Sequence, residues 1–164
     1  MNENKSIRVL FVCLGNICRS PAAEGIMRHL VKVNGLEHFI EVDSAGIGSW
    51  HVGQLPDHRM RRHGQRHGYD FNSRARQFSG RDFSQFDYIV GMDEENIHDI
   101  LKKASNPKDR NKVVCMADYL THHPMHDEVP DPYYGSDADF ELVIDLLEDA
   151  CQSFLQKIVS QRHF

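Results

Sequence analysis

The chain has 164 residues, a formal net charge of −5, 40% hydrophobic residues and 26% charged residues. That length suits one domain with a sizeable core, and the charge fraction is too ordinary for a disordered chain. The acidic balance speaks against a dedicated nucleic-acid binder, and the longest apolar run, residues 9–14, is far below the ~20 residues of a membrane-crossing helix.

Residues 7–12 are β-branched and apolar, the pattern of a buried strand. Gly15-Asn16 marks a turn. Ser20-Pro21 predicts a helix start, with Ser20 as N-cap and Pro21 in the first helical position. The helix is expected over 21–33, with Ile26, Leu30 and Val33 on one face and Gly35 as its stop. A second strand is expected at 39–43, then a loop from Ser44 to Pro56. Residues 57–67 read as a very polar helix, 86–90 as a third strand, 93–103 as a helix and 112–116 as a fourth strand. Thr121 to Gly135 reads as a loop. Phe140, Val143, Leu147, Ala150, Phe154 and Ile158 recur at three- and four-residue spacing, the stripe of an amphipathic last helix. Strands separated by helices imply βαβ units, a parallel sheet and helices on both faces. Active sites of such sheets lie at the carboxyl ends of the strands, here near Cys13, Ser44, Gly91 and Ala117.

The polar residues 1–6 carry no signal-peptide pattern, so the cytoplasm is the expected compartment. The four cysteines stand at 13, 18, 115 and 151. They form neither a secreted disulfide framework nor a zinc-ligand spacing.

The chemistry concentrates in Cys13-Leu14-Gly15-Asn16-Ile17-Cys18-Arg19-Ser20-Pro21, which runs from the first strand into a helix N-terminus. That position collects unpaired backbone N–H groups and the positive end of a helix dipole, so it is an anion site. Gly15 and Asn16 tolerate positive φ and let the backbone curl. Arg19 adds a planar fork that grips two oxygens of one phosphate. The positive field favours a thiolate at Cys13, the form that attacks phosphorus. Far downstream, the two prolines around Asp131 present its carboxylate from an extended loop. Such a group can protonate a departing phenolate. Ser136-x-x-Asp139 also resembles a capping box for the last helix.

These two motifs closely resemble the low-molecular-weight protein-tyrosine phosphatases. Asp43-Ser44-Ala45-Gly46, Ala75-Arg76-Gln77, Phe86-Asp87-Tyr88-Ile89 and Met92-Asp93-Glu94-Glu95-Asn96 extend the resemblance over residues 6 to 158. It implies an α/β fold, a four-stranded parallel sheet in order 2-1-3-4 with helices on both faces, and a single phosphatase domain over 1–164. It implies a cysteinyl-phosphate intermediate formed without metal or cofactor. Cys13 matches the nucleophile, Arg19 the phosphate-binding arginine and Asp131 the general acid. Ser20 matches a hydroxyl bonded to the sulfur, and Asn16, helped by Ser44, a brace for the loop. Cys18 matches a second cysteine that either pairs with Cys13 under peroxide or has no redox role. Trp50, Tyr133 and Tyr134 match the walls of a slot deep enough to select phosphotyrosine over phosphoserine. Ile17 stands where relatives resembling phosphoarginine phosphatases carry threonine. The implied partners are phosphotyrosine proteins, with a tyrosine kinase among the candidates, and a monomer with no nucleic-acid or membrane partner is expected.

Departures from the family pattern are visible. Ser73-Arg74 stands where the family often has a bracing histidine, so Arg74 either replaces it or leaves the loop less braced. His122, His123 and His126 read as a solvated loop rather than a metal site. The seven arginines of residues 58–81 read as a solvated face, with an attraction for acidic phosphopeptides as the sharper alternative. Cys115 and Cys151 read as core. Two other functions compete: an arsenate reductase of similar fold, disfavoured because no cysteine lies between 18 and 115, and a module that binds phosphotyrosine without cleaving it.

Overall fold

The computed structural model describes residues 6–162. Residues 1–5 and 163–164, part of the expected 1–164 domain and of the polar N-terminus, lie outside the described residues. Four strands form one sheet: β1 (Ile7–Cys13), β2 (Ile40–Gly46), β3 (Tyr88–Gly91) and β4 (Val113–Cys115). All pairings are parallel and the order is β2-β1-β3-β4, as the resemblance implies.

β1 is central and, from Val9 to Cys13, apolar and buried because both its faces are covered. Val9, Phe11 and Cys13 enter one core, with α1 (Arg19–Val33) and α6 (Asp137–Arg162). Leu10 and Val12 enter a second core with Phe78, Phe83 and Phe86, and with Ile100 of α4 (Glu94–Leu101). The stripe predicted on the last helix is buried in full, from Phe140 to Ile158. The remaining elements are α2 (His58–Arg66), α3 (Asp82–Gln85), α5 (Pro107–Arg110) and a 3-10 turn at Met116–Tyr119.

Several expectations are corrected. α1 begins at Arg19 with Cys18 in the cap position, so Ser20 and Pro21 sit inside the first turn. Pro21 is tolerated there because the first-turn N–H groups have no partner within the helix. Its other end is as predicted. Gly35 adopts φ 68°, Gly35 N–H donates to Lys32 O at 3.0 Å and Leu36 N–H to Val31 O at 2.9 Å, which is a Schellman stop. β2 runs three residues past Asp43, drawn on by pairing with β1 through Cys13↔Gly46. β4 is only three residues long, and Cys115 on this edge strand is half-buried rather than core. Cys151 is buried as expected. α3, α5 and the 3-10 turn are too short to leave a periodic signal.

Candidate active site

The carboxyl ends of β1 and β2 and the start of α1 meet at one cleft of about 240 Å³. Cys13, Leu14, Gly15, Ile17, Cys18, Arg19, Trp50, Asp131, Tyr133 and Tyr134 all line it. Asn16, Ser20 and Ser44 lie behind it, each at most 3% exposed.

The loop from Cys13 to Arg19 keeps its shape through a chain of side-chain hydrogen bonds. Asn16 adopts φ 57°, the left-handed conformation the sequence allowed it. Its Nδ2 donates to Ser20 Oγ at 2.8 Å and to Ser44 Oγ at 3.0 Å, and its Oδ1 accepts from Arg76 N–H at 3.1 Å. Ser44 in turn donates to Glu24 Oε1 at 2.5 Å. Both amide hydrogens of Asn16 are thereby used. Ser20 Oγ accepts one of them and lies 3.0 Å from Cys13 Sγ and 3.3 Å from Ala45 O, so its single proton is shared between the sulfur and that carbonyl. The Ser20 backbone N–H also points at that sulfur, at 3.4 Å. The first turn of α1 has no side-chain cap, and the amides of Leu14 to Cys18 have no acceptor among the described residues. These are the donors an anion would take up.

Glycine matters here for space. Gly15 does not take the positive φ that the sequence permits. A Cβ on it would stand 3.0 Å from the His51 ring, and a Cβ on Gly46 would stand 2.9 Å from the backbone of Gly15. The end of β2 approaches the phosphate loop this closely because Gly46 lacks a side chain, while a side chain at Gly15 would press on the His51 ring.

Arg19 is 2% exposed, and its guanidinium is fixed from outside the loop. Nη1 donates to Asp93 Oδ2 at 2.6 Å and to Val129 O at 3.0 Å, while Nη2 lies 3.7 Å from Asp131 Oδ2. Burial works against its charge, but Cys13 and the carboxylates of Asp93 and Asp131 outweigh burial and raise its pKa. Burial, followed by Asp57 and Cys13, pushes the Cys18 thiol well up, so Cys18 is a neutral thiol and a poor attacking sulfur.

Asp131 reaches the cleft from the loop before α6. Its Oδ1 accepts from Tyr133 N–H at 3.1 Å, and Gly135 N–H closes a turn onto Pro132 O at 2.8 Å. The Ser136 box forms only in part: Ser136 N–H donates to Asp139 Oδ2 at 2.7 Å, while Asp139 N–H bonds the Ser136 carbonyl and not its hydroxyl. Trp50 is 67% exposed and Tyr134 96%, and both line the cleft together with Tyr133.

Similarity to known proteins is extensive. A family model for the low molecular weight phosphotyrosine protein phosphatases matches residues 8–163. The chain belongs to this phosphatase family. A protein of Synechocystis sp. named for the same family is 49% identical over 152 residues, covering 93% of this chain and 96% of its own. The crystal structure of a protein tyrosine phosphatase from Entamoeba histolytica, with Hepes in its active site, superposes with TM-score 0.92 at 43% identity, over 96% of this chain and 99% of that one. A Drosophila arginine phosphatase superposes with TM-score 0.85 at 35% identity, over 93% and 98%. The chain is therefore a low-molecular-weight protein-tyrosine phosphatase and an enzyme.

Some residues of this phosphatase site escaped the sequence reading. Asp93 appeared only as part of a motif, yet it orients Arg19. His51 lines the cleft beside Gly15. Glu24 ends the brace behind Asn16. Arg59 ties α2 to the acid loop by donating to Tyr133 O at 3.0 Å. None carried a local signal, because each acts on a residue tens of positions away. Arg74 is not the missing brace, since it donates to Gly53 O at 2.8 Å. The arginine-rich stretch is less free than its count suggests: Arg59, Arg62 and Arg76 are paired with Asp57, Asp137, and Asp43 with Asp82. The histidine loop is not simply solvated either. His123 is held by Asp149 and Asp145, each at 2.8 Å.

Proposed function

We propose that this phosphatase hydrolyses phosphotyrosine in proteins by a two-step displacement at Cys13, within one catalytic domain acting as a monomer in the cytoplasm. The observation that carries the reading is the convergence of Cys13, Arg19 and Asp131 on one cleft rimmed by Trp50, Tyr133 and Tyr134. The phosphoryl group sits on the free amides of Leu14 to Cys18 and on the Arg19 fork. The Cys13 thiolate attacks phosphorus, an S–P bond forms and the P–O bond to the phenol breaks. Asp131 gives its proton to the departing oxygen. Water then attacks the phosphocysteine, Asp131 takes the water's proton, and phosphate leaves as the sulfur regains its electron pair. Ser20 Oγ stabilises that sulfur as leaving group. Substrates include phosphorylated proteins, with tyrosine kinases among the candidates, and the rim argues for an aromatic side chain.

Ile17 supports tyrosine over arginine as the phosphorylated residue, because an apolar side chain there offers nothing to a guanidinium. Release of p-nitrophenol from p-nitrophenyl phosphate in EDTA tests the mechanism. The wild type turns over and Cys13→Ser does not. A metal requirement would sink the thiol route. Hydrolysis of a phosphoarginine peptide in preference to the same phosphotyrosine peptide would replace the substrate assignment.

A further inference from the structure

α2 and α6 are clamped together by a histidine that reaches carboxylates with both ring nitrogens. His63 is 1% exposed, with Nδ1 2.5 Å from Glu141 Oε1 and Nε2 3.0 Å from Asp137 Oδ1. Each ring nitrogen therefore faces a carboxylate oxygen. Asp137 and Glu141 are held below the usual carboxylate range, chiefly by these two bonds. Arg62 also reaches Asp137, at 3.2 Å, and His67 reaches Glu141, at 2.7 Å. The imidazole stacks on Phe140 at 5.9 Å.

The location gives this clamp a consequence. Asp137 is the first residue of α6, and the loop carrying Asp131 ends one residue before it. Arg59, one turn before His63 on α2, lies over the same Phe140 ring at 4.6 Å and over Tyr133 at 5.5 Å. The upstream end of the acid loop is tied separately, through Val129 N–H to Met92 O at 2.9 Å and Arg19 to Val129 O. The downstream end depends on α2.

We propose that His63 is a positioning residue for the general acid: by gripping Asp137 and Glu141 together it fixes the first turn of α6, and with it the loop that delivers Asp131 to the leaving oxygen. The inference rests on Asp131 being that acid. Its effect falls on substrates that need a proton at the leaving group and spares those that do not.

The test compares kcat/KM for phenyl phosphate, a poor leaving group, with 2,4-dinitrophenyl phosphate, a good one. Asp131→Asn is run first. A flat response there, with both substrates slowed alike, removes Asp131 as the acid and the inference with it. With that control passed, His63→Gln is expected to lower phenyl phosphate turnover about tenfold, part of the ~10²–10⁴-fold worth of a general acid, and dinitrophenyl phosphate turnover less than twofold. In an Asp131→Asn background it is expected to add nothing. Should His63→Gln fail to fold, the exposed partners carry the test as the double variant Asp137→Asn/Glu141→Gln, expected to show the same selective loss. Equal loss on both substrates, no loss on either, or an additive loss in the Asp131→Asn background overturns the proposal. His123→Asn, which alters a clamp further along α6, is expected to leave both rates unchanged.

Discussion

The phosphate loop and the acid loop serve the same cleft but are held in opposite ways. The phosphate loop is one contiguous stretch of seven residues from Cys13 to Arg19, buried along most of its length and braced from behind by Ser44 and Glu24. The acid loop is exposed at Asp131, Tyr133 and Tyr134, and is held at its ends by side chains from elsewhere in the chain. The difference follows their tasks. A phosphate bound by many amides demands a frame that does not rearrange, since prealigned donors are what stabilise developing charge. A proton donor must meet a leaving group that arrives with each substrate and departs after it, so its loop lies near solvent.

The comparison can be broken from the phosphate-loop side with the largest effects. Cys13→Ser is expected to abolish p-nitrophenyl phosphate turnover, while binding of phosphate, followed by calorimetry, survives because the amides remain. Arg19→Lys keeps a charge but not the fork that spans Asp93, Val129 and substrate. A loss of ~10²–10³ in kcat is expected, the scale of removing one such donor. A loss under twofold would mean that charge alone suffices. Ser44→Ala strands a buried Asn16 N–H and removes the Glu24 Oε1 donor, while Arg28 still pairs with Glu24 Oε2. It is expected to destabilise the fold by about 1–3 kcal/mol in urea titrations and to slow turnover through the loop.

The acid-loop side yields smaller effects. Arg59→Met keeps part of the packing on Phe140 and removes the bond to Tyr133 O. It is expected to cost about tenfold or less on poor leaving groups, a fraction of the general-acid term. Smaller still is a pH effect on the segment that precedes this loop. Burial favours a high Asp149 pKa, but hydrogen bonds from His123, Thr121 and His122 outweigh it and hold Asp149 at about 2. The bonds to Asp149 and then to Asp145 raise His123. Asp149 therefore stabilises the fold above its ordinary value of 3.8, and this contribution fades as pH falls toward 2. His123 contributes below its ordinary 6.5, and its share is lost as pH rises through the raised value. Asp149→Asn should lower Tm most between about pH 4 and 6.5, where both groups are charged. A pH-independent drop in Tm would show that only hydrogen bonding matters there.

Much of this division is written in the sequence. The phosphate loop is contiguous, so strand, turn, arginine and helix start could all be read within nine residues, and Asp131 stood out by its flanking prolines. The long periodic segments, β1 and α6, were equally legible. The cap of α1 was not. Ser20-Pro21 has the signature of a helix start, but the Ser20 hydroxyl is taken by Cys13 and Asn16, and the helix begins two residues earlier, at Arg19. Length was also hidden where pairing decides it, as in β2, which is extended by its neighbour β1. The supports of Arg19 and of the acid loop, Asp93, Arg59 and His63, could not be read because each joins positions about seventy apart or more, with no local pattern to record the contact.

One feature of β1 bears on which changes of chain length this enzyme tolerates. Its alternate residues belong to different cores, with Cys13 in the set that includes Val9 and Phe11. Inserting or deleting a single residue within 7–12 would exchange the two sets or turn Cys13 toward the opposite side of the sheet. An even change would keep Cys13 on its face yet break the match with Gly46, where no side chain fits. Homologous chains should thus vary in length within residues 121–128, which lie outside the sheet, and keep the spacing from the start of β1 to the cysteine fixed. Libraries built by random insertion should return active clones with the same distribution.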